Sequence, residues 1–257
     1  MAVSALLLDL DGTLYTDAGP VPGAVAALAE LRRRGVPFRC VTNTTRRSRR
    51  LLAQRLAGYG FEVEPGEVIT AVMSGVALLA GRGVRRVAAY VAPETVEDFA
   101  RFDLASERPE AVVVGDMGEA WDFAILNRAF HQLMDGADLL ALQRDRYWLR
   151  GDALALDAGP FVVALEYATG KTAALCGKPS AAFYRAALAS LPAPAAAAPR
   201  DVVMVGDDLW GDVEGAQRAG LTAWMVRTGK YREDVVAASG IRPDRTIDSV
   251  AELPRLI

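Results

Sequence analysis

The stretch ALLLDLDGTLY at residues 5–15 changes abruptly from an apolar run to a pair of acids. Residues 5–8 are continuously apolar rather than alternating, which is typical of a parallel strand covered on both faces. Asp9 and Asp11 follow two residues apart, so their side chains leave the strand on the same side. Carboxylates this close repel each other unless a cation lies between them. The stretch therefore predicts a buried strand that ends at a functional edge of a sheet.

Short apolar runs and longer helical patterns alternate along the rest of the chain. Further strands are predicted at residues 38–42, 68–71, 87–91, 111–114, 139–142, 172–176 and 201–205. Helices are predicted at residues 24–34, 46–59, 123–134, 161–168 and 181–191. Thr44 or Thr45 is expected to cap the second of these helices. Because strands and helices alternate, the pattern predicts right-handed crossovers and an α/β fold with a doubly wound parallel sheet.

The composition excludes several classes of protein. The 257 residues include 29 Lys and Arg and 32 Asp and Glu, a net charge of −3, which disfavours a general nucleic-acid binder. Two Cys cannot form a disulfide scaffold or a four-Cys zinc site, and one His excludes multi-His metal sites. No apolar run approaches the ~20 residues that span a bilayer, and the first residues do not read as a signal peptide. We therefore expect a cytoplasmic protein without nucleic-acid or membrane partners.

Polar residues also follow three other predicted strands. Open α/β sheets bind their ligands at the carboxyl ends of the strands, so these residues are expected to meet Asp9 and Asp11 at one edge. The residues at these three strand ends are Thr42, Asn43, Lys178, Asp207, Asp208 and Asp212.

These residue types suit phosphoryl chemistry. Oxygen ligands from Asp9 and Asp207, together with water, are typical of a Mg²⁺ site. Lys178 and Thr42 can donate to the remaining oxygens of a phosphoryl group. One aspartate can attack phosphorus and form an aspartyl-phosphate, while a second protonates the leaving oxygen and later activates water. Asp9 and Asp11 fit these two roles.

These four groups of polar residues, each after a predicted strand, form four motifs: Asp9 with Asp11, Thr42 with Asn43, Lys178, and Asp207 with Asp208 and Asp212. In this order they resemble the motifs of the haloacid dehalogenase-like phosphatases. The segment after the third strand resembles the inserted α/β cap of the subgroup that contains the NagD-type nucleotide phosphatases, pyridoxal phosphatase and phospholysine phosphohistidine pyrophosphate phosphatase. Further stretches that carry the likeness are VTNTT at 41–45, LN at 126–127, LMDGA at 133–137, GPFV at 159–162, ALEYAT at 164–169 and TGKY at 228–231. The resemblance covers essentially the whole chain.

The resemblance implies a role for each motif residue. Asp9 would be the nucleophile and a Mg²⁺ ligand. Asp11 would be the general acid and base, with its backbone carbonyl also on the metal. Asp207 would be the third protein ligand of the Mg²⁺ ion.

The remaining motif residues would hold the phosphate or support the site. The resemblance implies that Thr42, the backbone of Asn43 and Lys178 bind the phosphate. Asp208 and Asp212 would act through water or by orienting Lys178. For Asp208 a helix N-cap is an equally good interpretation.

The resemblance also implies a discontinuous domain organisation. Residues 1–73 and 171–257 would form a Rossmann-like core, with residues 74–170 inserted as an α/β cap. A homodimer through the cap is one candidate assembly, although the sequence does not determine the oligomeric state.

One loop of the predicted cap is a candidate for substrate specificity. Its residues Arg146, Tyr147 and Trp148 could grip a planar or anionic leaving group. A salt-bridged, packed surface loop is an equally good interpretation of the same residues.

The prediction that follows is a Mg²⁺-dependent phosphatase acting on small phosphorylated metabolites through an aspartyl-phosphate on Asp9. Two alternatives remain at this point. A receiver-like phosphoaspartate switch uses similar residues, but this chain is about twice too long for one such domain. A metal-independent haloacid dehalogenase would need neither Asp11 nor the acids around Asp207.

Overall fold

The computed structural model describes residues 3–150, 153–193, 195–196 and 198–257, with residues 148–150 described by their backbone alone. Its strands are β1 (Ala5–Asp9), β2 (Tyr15–Thr16), β3 (Gly19–Pro20), β4 (Phe38–Thr42), β5 (Val68–Thr70), β6 (Val87–Tyr90), β7 (Ala111–Val114), β8 (Asp138–Ala141), β9 (Tyr147–Arg150), β10 (Ala153–Leu156), β11 (Ala174–Leu175), β12 (Val202–Gly206), β13 (Thr222–Val226) and β14 (Arg245–Ile247). Its helices are α1 (Ala24–Arg33), α2 (Arg49–Gly58), α3 (Ala71–Gly81), α4 (Phe123–Met134), α5 (Ala158–Thr169), α6 (Ala181–Ser190), α7 (Gly215–Arg218), α8 (Glu233–Ser239) and α9 (Leu253–Leu256). Among the described residues, no helix is long and apolar enough to cross a membrane.

The chain divides into two compact units. The first unit comprises Met1–Thr42, Leu52–Ile69 and Lys178–Ile257, and the second comprises Asn43–Leu51 and Thr70–Gly177. The sequence-based division into a core and an inserted cap at residues 74–170 stays a prediction.

A six-stranded sheet forms the centre of the first unit, in the order β14-β13-β12-β1-β4-β5. Strand β1 pairs in parallel with β12 on one side and β4 on the other, which places Leu8 opposite both Val205 and Cys40. Leu6 and Leu8 pack on one face with α1 and α2, and Leu7 packs on the other with α6. Burial on both faces explains why β1 is apolar throughout, and it confirms the predicted doubly wound α/β fold.

The pairing of β1 with its two neighbours places Asp9 at one edge of the sheet. Because the neighbouring strands run parallel and in register, Asp9, Thr42 and Gly206 end their strands at the same edge. That edge is where parallel α/β sheets bind ligands.

The second unit is built around a four-stranded sheet in the order β11-β8-β7-β6, whose strands pair in parallel. Helix α3 packs on one face against Val113, and α4 and α5 pack on the other against Val112. Strands β9 and β10 form a separate antiparallel hairpin.

Two helix boundaries differ from the sequence-based expectation. Helix α2 begins later than predicted, because Ser48 accepts from the Leu51 N–H at 3.3 Å and so caps it. The expectation for Thr45 was wrong, since its hydroxyl accepts instead from the Asp116 N–H at 3.1 Å. Helix α5 begins three residues earlier than predicted at Ala158, whose N–H donates to the Asp157 carboxylate at 2.7 Å.

Candidate active site

Three buried carboxylates converge at the carboxyl edge of the core sheet. Asp9 ends β1, Asp207 follows β12, and Asp212 lies in the short helical segment after it. These residues are 6%, 2% and 1% exposed, and one carboxylate oxygen of each lies within 4.8 Å of the others. We call these three residues the carboxylate cluster. Asp9 and Asp207 therefore lie close together, in a geometry that suits a cation.

A single buried ammonium bridges two members of the cluster. Lys178 Nζ donates to Asp9 Oδ1 at 2.5 Å and to Asp212 Oδ1 at 2.6 Å. Burial disfavours the charged lysine, but Asp212 and Asp9 together raise the pKa of Lys178 well above its usual value. Lys178 is therefore a fixed positive charge beside Asp9.

The backbone around Lys178 is held by close packing within the first unit. Pro179 packs directly against Gly215, and a Cβ at position 215 would overlap Pro179. Tyr184, on the first turn of α6, donates its hydroxyl to the Gly211 carbonyl at 2.5 Å. These contacts join the Lys178 segment to the acid-bearing segment after β12.

Asp212 is oriented on both of its oxygens. While Oδ1 accepts from Lys178, Oδ2 accepts from the Asp208 N–H at 3.0 Å. Gly206 leaves the space for this carboxylate, since a Cβ there would overlap Asp212. Asp212 thus orients Lys178, one of the two roles that the resemblance implied.

Asp208 serves as a helix N-cap. Its Oδ1 accepts from the Gly211 N–H at 2.8 Å and from the Trp210 N–H at 3.1 Å, and its Oδ2 accepts from Lys230 Nζ at 2.9 Å. Burial raises the pKa of Asp208, but Lys230 and the Gly211 N–H outweigh it and lower the pKa overall. Of the two interpretations drawn from the sequence, these contacts favour the cap.

Asp207 is confined between two glycines. Its Oδ2 accepts from the Lys230 N–H at 2.7 Å. A Cβ at Gly12 or at Gly229 would overlap this same carboxylate. Both glycines also have positive φ, 86° and 60°, so each position needs glycine for conformation as well as for space.

The tight turn after β1 brings Gly12 against Asp207. The Leu10 carbonyl accepts from the Leu14 N–H at 2.9 Å, and the Gly12 N–H donates to the Tyr15 carbonyl at 2.7 Å. Asp11 lies in this turn with an exposed side chain, outside the carboxylate cluster. That exposure suits a group that must exchange protons with substrate and water.

A further part of the site lies in TGKY at 228–231, a stretch that carries the family likeness but to which the sequence assigned no role. Residues 228–230, which we call the Thr228 loop, follow the carboxyl end of β13 and contact both Gly12 and Asp207. The signal was present, because a polar segment after a buried strand is the same pattern that identified the four motifs.

The two predicted phosphate-binding residues of the second motif occupy different units. Thr42 is buried at the end of β4, one residue beyond Val41, the register partner of Asp9. Asn43 is the first residue of the second unit, where its side-chain oxygen lies near Gly177.

The predicted specificity residues belong to the second unit. Arg146 precedes β9, and Tyr147 begins β9 with 57% of its surface exposed. Arg144 is paired with Glu166 at 2.8 Å, which ties the start of this loop to α5. The side chain of Trp148 lies outside the described part of the structure.

Burial and mutual repulsion raise the pKa of all three carboxyl groups in the carboxylate cluster. Burial raises the pKa of Asp9 to about 7 and that of Asp212 to about 7, although Lys178 opposes both shifts. Burial and Asp212 raise the pKa of Asp207 to about 6. Carboxylate oxygens held this close together are the donor set that suits a hard divalent cation.

Comparison with known proteins agrees with this geometry. Residues 6–105 match the family described as haloacid dehalogenase-like hydrolase, and residues 175–253 match the one described as HAD-hydrolase-like. Haloacid dehalogenase-like hydrolase domain-containing protein 2 of Homo sapiens is 42% identical over 231 residues, 90% of this chain and 86% of that protein. Phospholysine phosphohistidine inorganic pyrophosphate phosphatase of Rattus norvegicus is 36% identical over 262 residues, 99% of this chain and 94% of that protein.

A solved structure shows the same fold. NagD from E. coli K-12 superposes with a TM-score of 0.88 at 26% identity, covering 98% of each chain. These relatives confirm the resemblance drawn from the motifs, and they favour the phosphatase over the receiver-like switch and the dehalogenase. With this identity over nine-tenths of its length, the chain belongs to the haloacid dehalogenase-like hydrolases and, among them, to the NagD-like phosphatases.

Proposed function

We propose that the protein is a Mg²⁺-dependent phosphatase that hydrolyses small phosphorylated metabolites through an aspartyl-phosphate on Asp9. The observation that carries the proposal is the buried Asp9 carboxylate, fixed at 2.5 Å from Lys178 beside two further carboxylates. A buried, oriented carboxylate with a neighbouring cation is suited to attack phosphorus.

In the proposed reaction, Asp9 or Asp11 takes part in every bond change and proton transfer. An oxygen of Asp9 forms a bond to phosphorus while the bond from phosphorus to the leaving oxygen breaks. Asp11 gives its proton to that leaving oxygen. A water molecule then attacks phosphorus and loses its proton to Asp11, and the bond between Asp9 and phosphorus breaks to release inorganic phosphate.

Lys178 and Thr42 support the phosphoryl group in this scheme. The ammonium of Lys178 stays charged, because Asp9 and Asp212 raise its pKa. It can therefore offset the charge on the phosphoryl oxygens as they approach Asp9. The hydroxyl of Thr42, at the end of the adjacent strand, would supply a neutral donor.

The hydrogen bonds distinguish the residues that would hold the metal. Both oxygens of Asp212 are engaged by Lys178 and the Asp208 N–H, which leaves Asp212 in a supporting role. Asp9, Asp207 and the backbone carbonyl of Asp11 would hold Mg²⁺. When bound, Mg²⁺ neutralises charge on the carboxylates and the phosphoryl group.

The substrate class is proposed from the relatives. One relative is named for phospholysine, phosphohistidine and inorganic pyrophosphate, and all three carry a small phosphoryl group. We propose substrates of this size, with Arg146 and Tyr147 contributing to the choice of leaving group. A screen of small phosphorylated compounds with Mg²⁺, read as released phosphate, would identify the preferred one.

Hydrolysis of 4-nitrophenyl phosphate tests the reaction. We expect turnover with Mg²⁺, loss of turnover in EDTA, and recovery when Mg²⁺ is restored. Asp9→Asn should abolish turnover, whereas Asp17→Asn, at an exposed acid a few residues on, should not. Normal turnover by Asp9→Asn, with folding verified by circular dichroism, would refute the nucleophile.

A further inference from the structure

The Thr228 loop lies outside the four motifs, yet it contacts residues on both sides of the proposed metal site. The Thr228 hydroxyl donates to the Gly12 carbonyl at 2.6 Å. Two residues later, the Lys230 N–H donates to Asp207 Oδ2 at 2.7 Å. Between these two contacts, Gly229 lies against both Asp207 and the Cα of Gly12. One short segment therefore fixes two separate strand ends.

These contacts act on the groups that would bind the cation. Gly12 follows Asp11, whose carbonyl is a proposed ligand, so a hydrogen bond to the Gly12 carbonyl restrains the peptide next to the one that carries that ligand. The Lys230 N–H donates to one oxygen of Asp207, which orients the other oxygen as a ligand for the cation. Hydrogen bonds that orient the ligands of a metal contribute strongly to its affinity.

We propose that Thr228 is a positioning residue for Mg²⁺, acting through Gly12. The inference rests on the proposed function. Thr228 touches neither the phosphoryl group nor the cation in this scheme. Its role is to hold the turn after β1 at the distance that lets Asp9, the Asp11 carbonyl and Asp207 bind one ion.

The chain offers a matched control for a change at Thr228. Thr222, at the amino end of β13, donates its hydroxyl to the Arg200 carbonyl at 2.7 Å. Thr228 follows the carboxyl end of the same strand. Thr222→Val thus removes the same kind of hydrogen bond, to a backbone carbonyl, away from the site.

Calorimetric titration with Mg²⁺ alone gives a readout that is independent of turnover. We expect Thr228→Val to weaken Mg²⁺ binding about tenfold. The Mg²⁺ concentration for half-maximal hydrolysis of 4-nitrophenyl phosphate should rise by the same factor. At saturating Mg²⁺, KM and kcat should stay within about twofold of the wild type, because saturation restores the bound metal and with it the geometry of the site. Thr228→Ser keeps the hydroxyl and should restore wild-type binding.

The outcomes separate this inference from the proposed function. If the wild type binds Mg²⁺ but Thr228→Val binds it equally well, the role of Thr228 is refuted and the phosphatase proposal stands. If Thr228→Ser or Thr222→Val weakens Mg²⁺ binding as much as Thr228→Val, the effect is one of general stability and the role is again refuted. If the wild type neither binds Mg²⁺ nor hydrolyses phosphate esters, the proposed function fails and this inference fails with it.

Discussion

Asp212 lies 2.6 Å from Lys178 and receives the Asp208 N–H on its other oxygen, so one buried carboxylate links the lysine to the backbone after β12. This link fixes Lys178 in front of Asp9. Removing the charge of Asp212 therefore tests the orientation of Lys178 without touching the nucleophile.

We expect Asp212→Asn to lower kcat by about 10- to 100-fold, by analogy with losses at residues that orient catalytic groups. Lys178 would lose the carboxylate that holds it beside Asp9 and, with it, its fixed position. Steady-state kinetics on 4-nitrophenyl phosphate measures the change. Asp248→Asn, at a 78% exposed side chain paired with Arg227, is the control. A kcat equal to that of the control would contradict the role of Asp212.

Gly12→Ala should be far more damaging than Gly220→Ala. Both glycines have φ near +85°, so each alanine carries the strain of a left-handed backbone, about 1–2 kcal/mol. Only at Gly12 would the new Cβ also overlap a carboxylate, that of Asp207; nothing lies within 4 Å at Gly220. We expect Gly220→Ala to keep its turnover and Gly12→Ala to lose it. Chemical denaturation and phosphate release, measured on both variants, decide the comparison.

The stability of the second unit should depend on pH through Asp157. Burial raises the pKa of this carboxyl to about 6 from its ordinary value of 3.8. Between these values the folded state holds a proton that the unfolded chain has released, so this group makes stability fall as pH rises from about 4 to 6. The full loss in the free energy of unfolding, at most about 3 kcal/mol, is reached above pH 6.

Urea unfolding of the wild type and of Asp157→Asn isolates this contribution. The difference in unfolding free energy between the two proteins should change by up to about 3 kcal/mol between pH 4 and pH 7, in favour of the variant at the higher pH. The asparagine oxygen can still accept the Ala158 N–H, so the helix cap is kept. A difference that is constant with pH would contradict the raised pKa.

The loop before β9 should affect which substrate is preferred rather than the chemistry. Arg146→Ala should raise KM for substrates with large anionic leaving groups about 10- to 100-fold, as expected when a hydrogen bond to a charged group is lost. It should alter turnover of phenyl phosphate little. Tyr167→Ala, at a 93% exposed ring of α5, is the control. Equal effects on large and small substrates would argue against a role in recognition.

Much of the site follows from local patterns in the chain. Asp9 and Asp207 could be predicted because each follows a strand of the same parallel sheet, and parallel strands bring such positions to one edge. Lys178 follows β11, which belongs to the sheet of the second unit, so its contact with Asp9 does not follow from that rule. The position of the Thr228 loop after a strand is readable from the sequence, but its contact to Gly12 is not, because that contact joins residues 216 positions apart. Likewise Ser48, rather than Thr44 or Thr45, caps α2, because tertiary contacts draw Thr45 to Asp116.

The register of β1 has a consequence for the order of folding. Its Leu8 pairs with Cys40 on one side and with Val205 on the other, so one neighbour is made soon after β1 and the other only after residues 70–177. Contacts of such long sequence separation form slowly, because a long loop must close first. Residues 70–177, by contrast, contain all the strands of the second sheet. On the ribosome, we expect that sheet to assemble first, before β1, which carries Asp9, can pair with β12.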